Sequence, residues 1–205
     1  MMPRKAAIAR ALGVSLAASA FALLPSRAEA HLVTTGLGPV YDGISHVLMS
    51  PDDLVPIVAM ALLAGLNGPA AGRRALFAFT GAWLAGGIAG YLSGHAVIPG
   101  STTALSFLLI GGLTAADRRL SPSTVAALAV GIGLLHGWLN GAGIAEAQND
   151  PLGLAGIVSV LFVLVAIASA FVVSLRADWM RIAVRVAGSW VAAIGLLMFG
   201  WSLRG

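Results

Sequence analysis

Six apolar segments, each framed by proline, glycine or arginine, leave this chain little choice but to fold as a helical bundle in a membrane. They run Pro51–Leu66, Arg74–Ser93, Pro99–Ala116, Pro122–Asn140, Pro151–Leu175 and Trp179–Leu203. Hydrocarbon offers no water to an open backbone, so only helices or closed barrels cross it, and most of these runs have the length of a helix. Of 205 residues 59% are hydrophobic and 10% charged, too few charges to clothe a soluble domain of that size. The fold expected is all-α, a polytopic bundle of six transmembrane helices. Cysteine is absent, which excludes disulfides, thiolate metal sites and cysteine nucleophiles together. No Gly-x-Ser-x-Gly elbow, His-Glu-x-x-His pair or nucleotide-binding motif occurs, so the chain reads as no enzyme, with no organic cofactor.

Before the first span stands a secretory leader. Arg4, Lys5 and Arg10 form its basic start, Leu12 to Leu24 its apolar stretch, and Ala28-Glu29-Ala30 a small-residue cleavage site. The expected organisation is a cleaved signal peptide over residues 1–30 and a six-span domain over residues 31–205. Cleavage makes His31 the new N-terminus, and a free α-amine beside an imidazole is a bidentate nitrogen chelator for a divalent transition metal.

Arginines fix the orientation. With His31 outside, the inward loops carry Arg73 and Arg74, then Arg118 and Arg119, then Arg176, Arg181 and Arg185, while the outward loops carry none. This obeys the positive-inside rule and predicts a multi-pass protein of a bacterial-type inner membrane, with both mature termini outside. The basic pI, about 10.7, is therefore a topology signal rather than a nucleic-acid footprint. In this frame His31, His46, His95 and His136 all fall toward the outer side, with Asp42, Asp52, Asp53, Glu146 and Asp150; only Asp117 and Asp178 lie inside.

Spacing sharpens the candidate site. Asp42 and His46 are four apart and share a helix face, and so do His136 and Asn140, within a span that is otherwise apolar. An ionisable side chain inside a span needs a partner and is a functional candidate by default. His136 is expected about one turn inside the outer end of its span; bonding to a neighbouring carbonyl is the bland alternative. His95 follows Ser93-Gly94 at a helix end, where a capping role is as good an account. Ser50-Pro51-Asp52-Asp53 has the form of a capping box, which assigns both carboxylates to the helix start. The tryptophans read as interfacial or packing aromatics. Ala82, Gly86, Gly90 and Gly94 make a small-residue ladder on the second span, and Ala129, Gly133, Gly137 and Gly141 repeat it on the fourth, so the two spans can pack in parallel. The first span is short, about 24 Å at 1.5 Å per residue. The apolar stretch Gly38–Met49 before it either dips into the membrane as half of a broken helix or lies flat in the outer interface.

The leader ending before His31, the Asp/His segment entering the first span, His136-Gly137 in a glycine-rich fourth span and Glu146 beyond it together resemble the HupE/UreJ family. These are small membrane proteins linked with nickel supply to hydrogenase and urease. The likeness covers the whole mature chain, with departures. Gly38-Pro39 stands where the family has His-Pro, Asp42 and His46 are four apart rather than adjacent, and Asn140 replaces a second histidine. The resemblance implies a divalent metal permease, nickel its expected substrate, with His31, Asp42, His46, His136, Asn140 and Glu146 as metal-handling residues. It also implies lipid contact and either self-association or a metalloenzyme-maturation partner. A metal-binding structural or chaperone-like protein that moves nothing, and a haem-binding membrane protein, are the alternatives.

Overall fold

A computed structural model describes residues 35–95 and 98–204, and all its regular structure is helical. Seven helices follow in order: α1 (Pro39–Met49), α2 (Pro51–Leu66), α3 (Pro69–Ser93), α4 (Gly100–Ala115), α5 (Pro122–Glu146), α6 (Gly153–Ser174) and α7 (Asp178–Ser202). Residues 1–30 and His31 lie outside the described residues, and the expected leader and chelate with them.

Proline starts most of these helices. It occupies the first helical position of α1, α2, α3 and α5, where its missing N–H has no intrahelical partner to lose. Ser121 caps α5, its hydroxyl oxygen accepting the Thr124 N–H at 3.0 Å. At the end of α3, Gly94 takes the left-handed conformation (φ 67°) that closes a helix and favours glycine.

Four helices, α3, α5, α6 and α7, are each long and apolar enough to cross a membrane. The protein is a membrane protein. The remaining apolar elements are the 16-residue α4 and the pair α1–α2, which bends by 75° at the Ser50-Pro51 break. Two boundaries differ from the sequence expectation by more than two residues. α3 begins at Pro69, so Arg73 and Arg74 sit within its first turns. α5 continues past Asn140 to Glu146, which moves His136 to ten residues before the helix end, near its middle rather than one turn from its rim.

The centre of the bundle is α2. It buries Ile57, Met60, Ala61, Leu63 and Ala64 on several sides, the pattern of a helix enclosed by others. α7 buries only Val184, Gly188 and Gly195 and lies at the periphery. The two glycine ladders meet as expected. A Cβ on Gly137 would strike the Trp83 carbonyl, one on Gly141 the Gly87 carbonyl, and one on Gly90 the Trp138 carbonyl. Contacts advance together along α3 and α5, so the two run parallel, and Arg74 reaches Ser123 at their common start (2.9 Å). α1 crosses the beginning of α6, where Gly43 meets Gly153 and Gly156 meets Val40.

Candidate functional site

Side chains from five helices meet inside the bundle. On α5, His136 and Asn140 lie one turn apart on a single face, and both are buried, at 1% and 8% exposure. The Asn140 amide donates to Asp53 Oδ1 of α2 at 2.8 Å. The other oxygen of that carboxylate, Oδ2, lies 3.2 Å from His46 Nε2 of α1. Asp53 is 5% exposed. The bend at Ser50-Pro51 makes this meeting possible by folding the last turn of α1 back over the first turn of α2.

Both imidazoles are held by polar neighbours. The Ser106 hydroxyl of α4 lies 2.9 Å from His136 Nε2 and 2.7 Å from the Thr103 carbonyl. His46 Nε2 faces the Asp53 carboxylate, and its Nδ1 lies 3.4 Å from the Ser50 hydroxyl. An imidazole whose one N–H is held by a carboxylate or hydroxyl while its other nitrogen stays basic is the form a metal-binding histidine takes. Trp83 of α3 stacks on His136, ring centroids 5.6 Å apart at 23°, and Phe107 of α4 lies tilted to it at 6.3 Å. Among the described residues two buried polar side-chain atoms have no hydrogen-bond partner, Asn140 Oδ1 and Trp83 Nε1. A buried acceptor without a donor is costly, and beside a carboxylate it is a natural oxygen ligand for a cation.

The sequence candidates thus divide. His46, His136 and Asn140 join one buried cluster. Asp42, although four residues from His46, turns away and accepts both the Thr35 N–H and the Thr35 hydroxyl at 2.6 Å. The hydroxyl first, and then the N–H, hold its carboxyl below the usual carboxylate range. Asp42 lines a separate cavity of about 360 Å³ with Asn149 and Asp150, at the end of the bundle where α1 lies. Glu146 is exposed at the end of α5, ten residues or roughly 15 Å along the axis from His136. His95 is exposed beyond α3, which closes on Gly94. Among the described residues no three of His, Asp and Glu converge to hold a metal ion, so the resting cluster is a hydrogen-bonded chain rather than a finished cage.

Sequence reading missed Asp53. The Ser50 side chain makes no capping bond, and the carboxylate faces inward to Asn140 and His46 instead of serving its own helix start. A signal was present, because Asp53 falls on the stripe that continues through Ile57, Met60, Ala61 and Ala64, all buried. Asp52, one residue earlier, is exposed.

A family model described as HupE / UreJ protein matches residues 16–198, nearly the whole chain. The chain belongs to the HupE/UreJ family. No curated protein and no solved structure matches it. Family membership accords with the membrane-crossing helices and reaches across every element of the buried cluster, from His46 on α1 to Asn140 on α5.

Proposed function

We propose that this HupE/UreJ protein carries a divalent transition metal, nickel by family association, across the bacterial inner membrane from its outer face. The observation that carries the proposal is the buried chain His46–Asp53–Asn140 beside His136, in a bundle with few other charges to spare. A carboxylate inside an apolar bundle is expensive to keep, and such residues serve ion pathways more often than stability. In this reading α2 through α7 make six crossings, α1 lies along the outer boundary, and both mature termini are outside. Residues 1–30 are removed as a signal peptide, which exposes the His31 amine. Asp42 and Glu146 attract the ion at the outer rim. Asp53, the Asn140 carbonyl oxygen and the imidazoles of His46 and His136 receive it deeper down, once it displaces the resting hydrogen bonds. No nucleotide site is needed by such a carrier, and a metalloenzyme-maturation partner would take the ion inside.

Accumulation of nickel, cobalt, copper, zinc and iron in cells with and without the protein tests this. Uptake of one metal, abolished by His136→Ala at unchanged membrane levels, is expected. Metal binding to the purified protein without accumulation in cells would replace the permease with the chaperone-like alternative. Normal uptake by His136→Ala would reduce His136 to a packing residue bonded to Ser106.

A further inference from the structure

Two hollows adjoin at the opposite end of the bundle, away from the buried His46–Asp53–Asn140 cluster. The first, about 530 Å³, lies between the α2–α3 loop, the α4–α5 loop and the start of α7, and it is lined by Asn67, Asp117, Arg118, Arg119 and Arg181. Its frame is built rather than accidental. The Asn67 carbonyl oxygen accepts the Leu120 N–H at 2.7 Å, and its amide donates to the Leu63 carbonyl at 2.9 Å, which ties the two loops together. Arg181 spends one nitrogen on Asp117 at 3.1 Å and keeps the rest of its fork. Three guanidinium groups against one carboxylate leave the cavity with net positive charge.

The second hollow, about 260 Å³, is a groove between α2, α6 and α7 lined by Leu62, Phe171, Leu175, Trp179 and Val184, among other apolar residues. Helices α2 and α7 contribute to both. On α2, Leu62 faces the groove and Leu66, one turn on, the cavity; on α7, Met180 lines the groove and its neighbour Arg181 the cavity. We propose that together they form a binding site for one anionic phospholipid, its phosphate among Arg118, Arg119 and Arg181 and an acyl chain in the groove. Guanidinium forks suit phosphate oxygens. Basic pockets between helices on the cytoplasmic side are where anionic headgroups bind. A free phosphate would leave the adjoining apolar groove unused, and a zwitterionic lipid would set a cationic headgroup against the arginines.

The test uses the full-length chain in phosphatidylcholine vesicles holding a small fraction of phosphatidylglycerol brominated on its acyl chains, a short-range quencher of tryptophan. Brominated phosphatidylglycerol should quench more than brominated phosphatidylcholine at equal fraction, and Trp179→Phe should remove that excess. At about fivefold per arginine, Arg118→Gln with Arg119→Gln should lower the preference on the order of tenfold or more. The double lysine variant should keep most of it, and Arg73→Gln with Arg74→Gln, at the same end but outside the cavity, should leave it intact. Equal quenching by the two lipids, or equal loss from the Arg73/Arg74 pair, would overturn the proposal. Displacement of the brominated lipid by inorganic phosphate would also overturn it, because the site would then take a soluble anion.

Discussion

Replacing Asp52 and Asp53 by alanine, one at a time, separates the helix-start account of these carboxylates from the site account. Both stand in the first turn of α2, so each loses a similar dipole interaction, about 0.3–1 kcal/mol, and each gains the same alanine propensity. Those effects cancel in the comparison. What remains is specific to Asp53→Ala, which strands one buried donor, Asn140 Nδ2, and one half-buried donor, His46 Nε2. At the mean of about 0.6 kcal/mol measured for hydrogen bonds between membrane helices, the excess cost is about 1 kcal/mol. At about 1–3 kcal/mol for a stranded buried group, the Asn140 amide alone accounts for about 1–3 kcal/mol. Even the lower figure should place the melting temperature of Asp53→Ala about 2–4 °C below that of Asp52→Ala in detergent. Asp53→Asn keeps the shape but offers one acceptor where the carboxylate offers two, so it should recover part of that loss, yet metal uptake should be abolished because the negative charge is gone. Asp52→Ala should transport normally. Equal melting temperatures and equal uptake for the two alanine variants would refute the inward role of Asp53.

Reporter fusions after Gly68, Asp117 and Ala177 should read as cytoplasmic, and those after Gly100, Asp150 and Gly205 as external; a cytoplasmic C-terminus would show that the crossings number five or seven. Gly137→Ala drives a Cβ into the Trp83 carbonyl and should destabilise by about 1–3 kcal/mol, whereas Gly131→Ala, open on all sides, should be near neutral in the same thermal scan. Inserting one alanine between Ala30 and His31 keeps the imidazole but moves the amine away from it, so metal affinity at the mature N-terminus should fall. Because that amine has a reference pKa of about 7.7–8.0 and must lose its proton to bind, native affinity should rise with pH until the amine is neutral; a flat profile would exclude the chelate.

What was legible in the sequence is what local spacing encodes. Residues four apart share a helix face, so the ladders through Gly86 and Gly137 announced a seam, and His136 with Asn140 announced a polar pair. Proline placed most helix starts. Asp53 was hidden because a carboxylate at a helix start already has a local explanation, and its partner Asn140 is 87 residues away. The same limit misled the pairing of Asp42 with His46. Their spacing was right for one face, but Thr35 turns the first outward while the bend at Ser50-Pro51 turns the second onto Asp53. Helix lengths failed for a third reason. Asn140 looked like the polar end of a span, yet Ala142 and Ile144 beyond it are buried, and the helix continues to Glu146.

Backbone touching backbone along α3 and α5 has a mechanical consequence. Neither helix can slide or roll past the other without driving a carbonyl into a Cα, as Trp83 against Gly137 and Leu134 against Gly86 make plain. The pair must travel as one rigid body, and with it His136, Asn140 and the stacked Trp83. Any change that opens the buried cluster first to one side and then to the other has to run along the boundary this body shares with α1, α2 and α4. At the buried cluster that boundary is crossed by the side-chain bonds Asp53–Asn140 and Ser106–His136. Under the proposed carrier reading, the bonds an ion would displace are therefore also the latches that hold these parts in register.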